Sequence, residues 1–197
     1  SLSSGIAVLE DGTLKDGKSI RAYDGKVQNK GTINVSGGQG NSGMVLKLKA
    51  NDDITNTENA QIKVTGTKNI GMRVDLGTVD TEDTGNITPT AINKGTITIN
   101  DDQADSTGNI GMVANNSDGK SKAVAENVYL AKINFTGKST KAIGMFSQNG
   151  GEIQNNGDIE GGDDDNPLEE TLGMVIQPKT TTMAASSGIN EVKGKIN

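Results

Sequence analysis

The chain has no cysteine, no histidine and no tryptophan, and among its 197 residues there are only two Tyr, two Phe and three Pro. Without Cys there is no disulfide framework and no thiolate metal site. Without His there is no imidazole to serve as base, acid or ligand. The missing thiols leave the compartment open, although a chain that crosses an oxidising space unfolded gains from lacking them. No window approaches ~20 apolar residues, so no segment reads as a membrane-spanning helix, and Ser1-Leu2-Ser3-Ser4 has neither the basic nor the apolar region of a signal peptide. Arginine is scarce as well: two Arg and 17 Lys stand against 25 carboxylates, for a net charge of -6. That balance sets nucleic acid aside as a partner. Hydrophobic residues make up 31%, against a usual share of roughly 45 to 50%. A narrow core of many thin layers suits this composition better than one compact centre, and regular spacing argues against disorder.

What is present is a repeat. The phrase Asn69-Ile70-Gly71-Met72-Arg73-Val74 returns as Ser42-Gly43-Met44-Val45-Leu46, Ile110-Gly111-Met112-Val113-Ala114, Ile143-Gly144-Met145-Phe146-Ser147 and Leu172-Gly173-Met174-Val175-Ile176, with a weaker relative at Ser4-Gly5-Ile6-Ala7-Val8. A second phrase, of the kind Gly31-Thr32-Ile33-Asn34, places an isoleucine two residues after Gly or Ala at Ile33, Ile62, Ile97, Ile133, Ile159 and Ile196. Successive isoleucines are 29, 35, 36, 26 and 37 residues apart, one supersecondary unit per repeat with inserts of varying length. Period-two alternation puts Ile70, Met72 and Val74 on one buried face and the isoleucine column on another. A third, weaker strand precedes each isoleucine phrase, at 22–28, 89–93, 124–129 and 152–155.

Three strands per turn with stacked like residues predict an all-β parallel β-helix of about six coils, one segment over 1–197 taken from a longer chain. Its rungs would lie ~4.8 Å apart. The structural core is Ile33, Ile62, Ile97, Ile133, Ile159 and Ile196 with Met44, Met72, Met112, Met145 and Met174. The glycine before each Met is expected to turn a tight corner with φ > 0 and to let neighbouring rungs approach. The methionines fill irregular space rather than bind metal. An antiparallel meander fits less well, because the Asn-Gly and Asp-Gly pairs do not recur in register. Helical repeats fail, since Gly inside every apolar run would cost about 1 kcal/mol each relative to Ala.

Between the strands lie inserts at 10–26, 75–90, 101–108, 115–123, 161–171 and 177–187, where binding specificity belongs. Their carboxylates Asp75, Asp80, Glu82, Asp83, Asp101, Asp102, Asp163 and Asp164 are the candidate contact residues. Asp101 and Asp102 share columns with Asp163 and Asp164, roughly 10 Å apart over two rungs. Lys138 lies between them and works against the raised pKa that a general acid needs, so no catalytic residue is assigned. Asp163, Asp164, Asp165 and Glu169 offer hard oxygens to calcium. The tandem glycine–aspartate repeats of calcium β-rolls are missing, which favours a solvated acidic loop with no metal or cofactor.

The phrases Asn69-Ile70-Gly71-Met72 and Ala142-Ile143-Gly144-Met145-Phe146, the run 149–159, and Ala91-Ile92-Asn93-Lys94-Gly95-Thr96-Ile97 resemble passenger-domain repeats of fusobacterial type V autotransporter adhesins, the RadD-like outer-membrane proteins. The resemblance covers about five repeats. It implies a right-handed β-helix on the outer-membrane surface, monomeric and non-enzymatic, that presents loops to a protein or glycan receptor on host or bacterial cells. Its membrane attachment would run through a C-terminal barrel absent from this chain. A carbohydrate-active β-helix enzyme and an inert spacer are the alternatives. One departure from the pattern is that Glu58 and Tyr129 stand where Asn29, Asn93 and Asn155 lead one to expect asparagine.

Overall fold

The structure is a computed structural model that describes residues 4–9, 26–47, 53–76, 88–100, 107–116, 122–137, 139–162, 168–177, 185–190 and 195–196. Short strands separated by Gly, Asn and turn residues follow one another in threes. Coil 1 holds β1 (Ser4–Leu9), β2 (Lys26–Asn29) and β3 (Thr32–Val35), and coil 2 holds β4 (Ser42–Lys47), β5 (Asp53–Asn56) and β6 (Gln61–Val64). Coil 3 holds β7 (Ile70–Leu76), β8 (Thr90–Asn93) and β9 (Thr96–Ile99), and coil 4 holds β10 (Ile110–Asn116), β11 (Val124–Asn127) and β12 (Lys132–Phe135). Coil 5 holds β13 (Ile143–Gln148), β14 (Glu152–Asn155) and β15 (Asp158–Gly161), and coil 6 holds β16 (Leu172–Ile176), β17 (Ser187–Asn190) and β18 (Lys195–Ile196).

Every strand pairs in parallel with its counterpart one coil away, which gives three six-stranded sheets, β1-β4-β7-β10-β13-β16, β2-β5-β8-β11-β14-β17 and β3-β6-β9-β12-β15-β18. The chain is a parallel β-helix, right-handed as parallel crossovers are. β5 and β17 belong to the second sheet although no strand is evident there from the sequence. No described helix is long and apolar enough to cross a membrane.

The core is built in columns. In the third sheet Ile33, Ile62, Ile97, Ile133, Ile159 and Ile196 stand in register. Ile62, Ile97, Ile133 and Ile159 are fully buried, while Ile196 in the last coil is 45% exposed and Ile33 in the first is half-buried. Met44, Met72, Met112 and Met145 are fully buried and Met174 partly so. The end coils are more open because stacking covers each rung from both sides only in the middle of the tube.

Three expectations need correction. The residue two before each Met does not share the core face: Ile70 lies at the edge of burial, Ile110 and Ile143 are half-buried, Leu172 is exposed, and none of the four joins the core cluster. Instead the glycine faces inward next to the Met, so two consecutive residues point into the tube. The glycines also do not need φ > 0, since none of Gly43, Gly71, Gly111, Gly144 and Gly173 has a left-handed backbone. Room is what they supply: a Cβ on Gly43, Gly71, Gly111 or Gly144 would lie 2.5–2.7 Å from the carbonyl oxygen of the next coil's glycine.

The third correction concerns asparagine. Asn29, Asn56, Asn93, Asn127, Asn155 and Asn190 end the second-sheet strands in register. Each side-chain amide donates to the carbonyl of the next, at 2.9, 2.9, 2.8, 2.8 and 2.8 Å. Asn56, Asn93, Asn127 and Asn155 are fully buried. The column has no gap at coils 2 and 4. Those coils have turns two residues longer, which carries Glu58 and Tyr129 out to the surface and leaves Asn56 and Asn127 in the ladder.

Candidate functional site on the outer face of the first sheet

Strand alternation sends every second side chain of the first sheet outward. One outward column reads Val45, Arg73, Val113, Phe146 and Val175. The next reads Lys47, Asp75, Asn115 and Gln148, with Lys47 directly ahead of Asp75 along the sheet. On the other side lie the half-buried Ile110 and Ile143. The surface therefore joins an apolar stripe centred on Phe146 to a polar line.

That line crosses three coils. Arg73 Nη2 donates to Asp75 Oδ2 at 2.8 Å, Asn115 Nδ2 donates to Asp75 Oδ1 at 2.5 Å, and Asn149 Nδ2 donates to Asn115 Oδ1 at 2.9 Å. Arg73 Nε is buried with no hydrogen-bond partner. Both carboxylate oxygens of Asp75 are occupied, and its charge is matched by the guanidinium, so the arrangement suits recognition through hydrogen bonds and apolar contact.

Asp75 was expected in an insert. It lies instead within β7, because that strand runs on to Leu76. Glu169 is exposed, and its main chain bridges Thr140. Asp80, Glu82, Asp83, Asp101, Asp102, Lys138, Asp163, Asp164 and Asp165 lie outside the described residues. Among the described residues no three of His, Cys, Asp and Glu converge as metal ligands would. Sequence reasoning passed over Arg73, Asn115, Phe146 and Asn149. Arg73 left a trace, as the one charged residue in the slot after Gly-Met.

The outer face of the second sheet carries two more carboxylates. Burial alone would push the Glu152 carboxyl up, but hydrogen bonds from Gln154, Lys122 and Ser187, with the Lys122 charge, outweigh it and hold the group below its usual range. Burial raises Glu126, against the pull of Lys94. The two groups are held by local partners on neighbouring coils.

Three parallel sheets, one strand of each per coil, with an interior asparagine ladder and Gly-Met columns define a β-helical solenoid domain. Residues 46–188 match the family model of the BigA third pectate lyase-like domain, and the chain belongs to that family, β-helical domains of the bacterial surface-protein kind. No curated protein and no solved structure matches it.

Proposed function

We propose that the chain is a non-enzymatic adhesive segment of an autotransporter passenger, secreted by the type V route and displayed on the bacterial outer membrane. The stacked coils serve as a stalk, and the outer surface and inserts contact a protein or glycan on host or bacterial cells. It acts as a monomer, with no cofactor and no nucleic-acid partner. The observation that carries this reading is the outer face of the first sheet, where the Arg73–Asp75–Asn115–Asn149 line runs beside the half-buried Phe146, with Val113 buried beneath. Such a mixture of amide, guanidinium and apolar surface is what recognition surfaces use. Family membership and the resemblance to fusobacterial adhesin repeats support the surface location.

One observation favours a second reading, a carbohydrate-active enzyme: the matched family is described as pectate lyase-like. The test is attachment of the purified chain to a panel of epithelial and bacterial cells, beside an assay for cleavage of acidic polysaccharides. The adhesive reading expects attachment that Arg73→Ala and Phe146→Ala weaken by about tenfold, equivalent to ~1.4 kcal/mol, and no cleavage. Polysaccharide cleavage that Asp75→Asn, Asp101→Asn or Asp163→Asn abolishes would establish the enzyme instead.

A further inference from the structure

The turns that join the second sheet to the third come in two lengths. In coils 1, 3 and 5 they are Lys30-Gly31, Lys94-Gly95 and Asn156-Gly157, and in coils 2 and 4 they are Thr57-Glu58-Asn59-Ala60 and Val128-Tyr129-Leu130-Ala131. The two longer turns are built alike. Ala60 N donates to Thr57 O at 2.9 Å and Ala131 N to Val128 O at 3.0 Å, while Thr57 N and Val128 N reach the carbonyls of Asn29 and Asn93 one coil away. Both are β-turns with two central residues at the tip.

The tips differ. Coil 2 exposes Glu58 and Asn59, with neither in a left-handed conformation. Coil 4 exposes Tyr129 and Leu130, 56% and 74% accessible, and Leu130 has φ 70°. Positive φ at the third position of a turn is the place of Gly or Asn. A leucine there strains the backbone and shows its side chain to water, and the sister turn demonstrates that the fold asks for neither.

We propose that Tyr129 and Leu130 form an anchor that inserts into an apolar pocket of a protein on the target cell, an inference that rests on the adhesive reading above. The turn is two residues longer than those on the rungs either side, and both tip side chains are more than half accessible, as inserting groups must be. Tyrosine is among the residues that dominate binding at protein interfaces. Exposed Lys94 on the adjoining rung adds a cation that carboxylates at the pocket rim would complement. The more exposed of the pair is aliphatic, which gains little from the hydroxyl-rich surface of a glycan and much from an apolar protein pocket. Among the described residues, the cavity of about 610 Å³ near β1 and β3 is lined mainly by polar groups such as Ser4, Asn34, Gln39 and Asn41, which makes it a poor seat for this anchor on a second copy of the chain.

The experiment compares wild type, Leu130→Asn and Tyr129→Ser for attachment to the cell panel, with thermal unfolding measured on each protein and the cells used intact, protease-treated or deglycosylated. Asparagine tolerates the left-handed position, so Leu130→Asn should unfold at the same temperature or higher. Attachment should nevertheless fall at least tenfold in both variants, and protease treatment of the cells should abolish wild-type attachment. Variants that bind as well as wild type would overturn the anchor and leave the adhesive reading standing. Attachment lost on deglycosylation but kept after protease would overturn the protein partner. Wild type that attaches to no cell would remove the adhesive reading, and the anchor with it.

Discussion

Adding a methyl group to Gly111 would bring it 2.5 Å from the Gly144 carbonyl oxygen and 3.0 Å from Cγ2 of Ile133, both fixed by the stack. Gly31 is the opposite case, with nothing within 4 Å of where a Cβ would stand and no left-handed backbone. Gly111→Ala should therefore cost roughly 2–3 kcal/mol through overpacking and a displaced rung. Gly31→Ala should stay within about 0.5 kcal/mol of wild type. Denaturant midpoints for the two proteins check this, and equal losses would refute the claim that close approach explains the glycine before each Met. The Gly-Met pair could be found in the sequence because a column repeats its residue type. Its geometry could not be, because a backbone that turns two successive residues inward looks, as a string of letters, like ordinary alternation.

At the scale of the element, the asparagine ladder shows how insertions mislead. Counting back two residues from Gly or Ala finds Asn29, Asn93 and Asn155 but lands on Glu58 and Tyr129 in the coils whose turns are longer. The structure keeps Asn56 in the column, accepting from Asn29 at 2.9 Å and donating to Asn93 at 2.9 Å, fully buried. Hydrogen-bond continuity decides the alignment, since a gap would remove two buried side-chain hydrogen bonds from the column. Asn56→Ala should cost about 2–4 kcal/mol, from the cavity and the two ladder hydrogen bonds lost to Asn29 and Asn93, whereas Glu58→Ala should be neutral within about 0.5 kcal/mol. Urea unfolding of the two variants separates the two alignments, and a costly Glu58→Ala with a silent Asn56→Ala would restore the sequence count. The same reasoning explains why the candidate site was only partly legible. Asp75 is legible as an acid at the start of an insert, but its partners Arg73 and Asn115 meet it only through the slot within β7 and the coil beyond, and alternation places Phe146 off the core face without saying which polar groups it lies beside.

Considered whole, the molecule is a tube in which residues far apart in sequence are neighbours along one axis, and everything said about its surface depends on that. Outward columns keep their order from coil to coil, so Asn34, Lys63, Thr98, Asn134 and Glu160 climb the third sheet one rung at a time. The outer line from Arg73 to Asn149 exists only because coils 3, 4 and 5 are stacked in this register. The absence of native cysteine makes the register directly measurable. Spin labels on Asn34→Cys and Glu160→Cys, read by pulsed dipolar spectroscopy, should give one narrow distance near 19 Å, four rungs of ~4.8 Å, broadened only by the label linkers. A broad distribution, or a distance beyond about twice that value, would contradict the stacked β-helix.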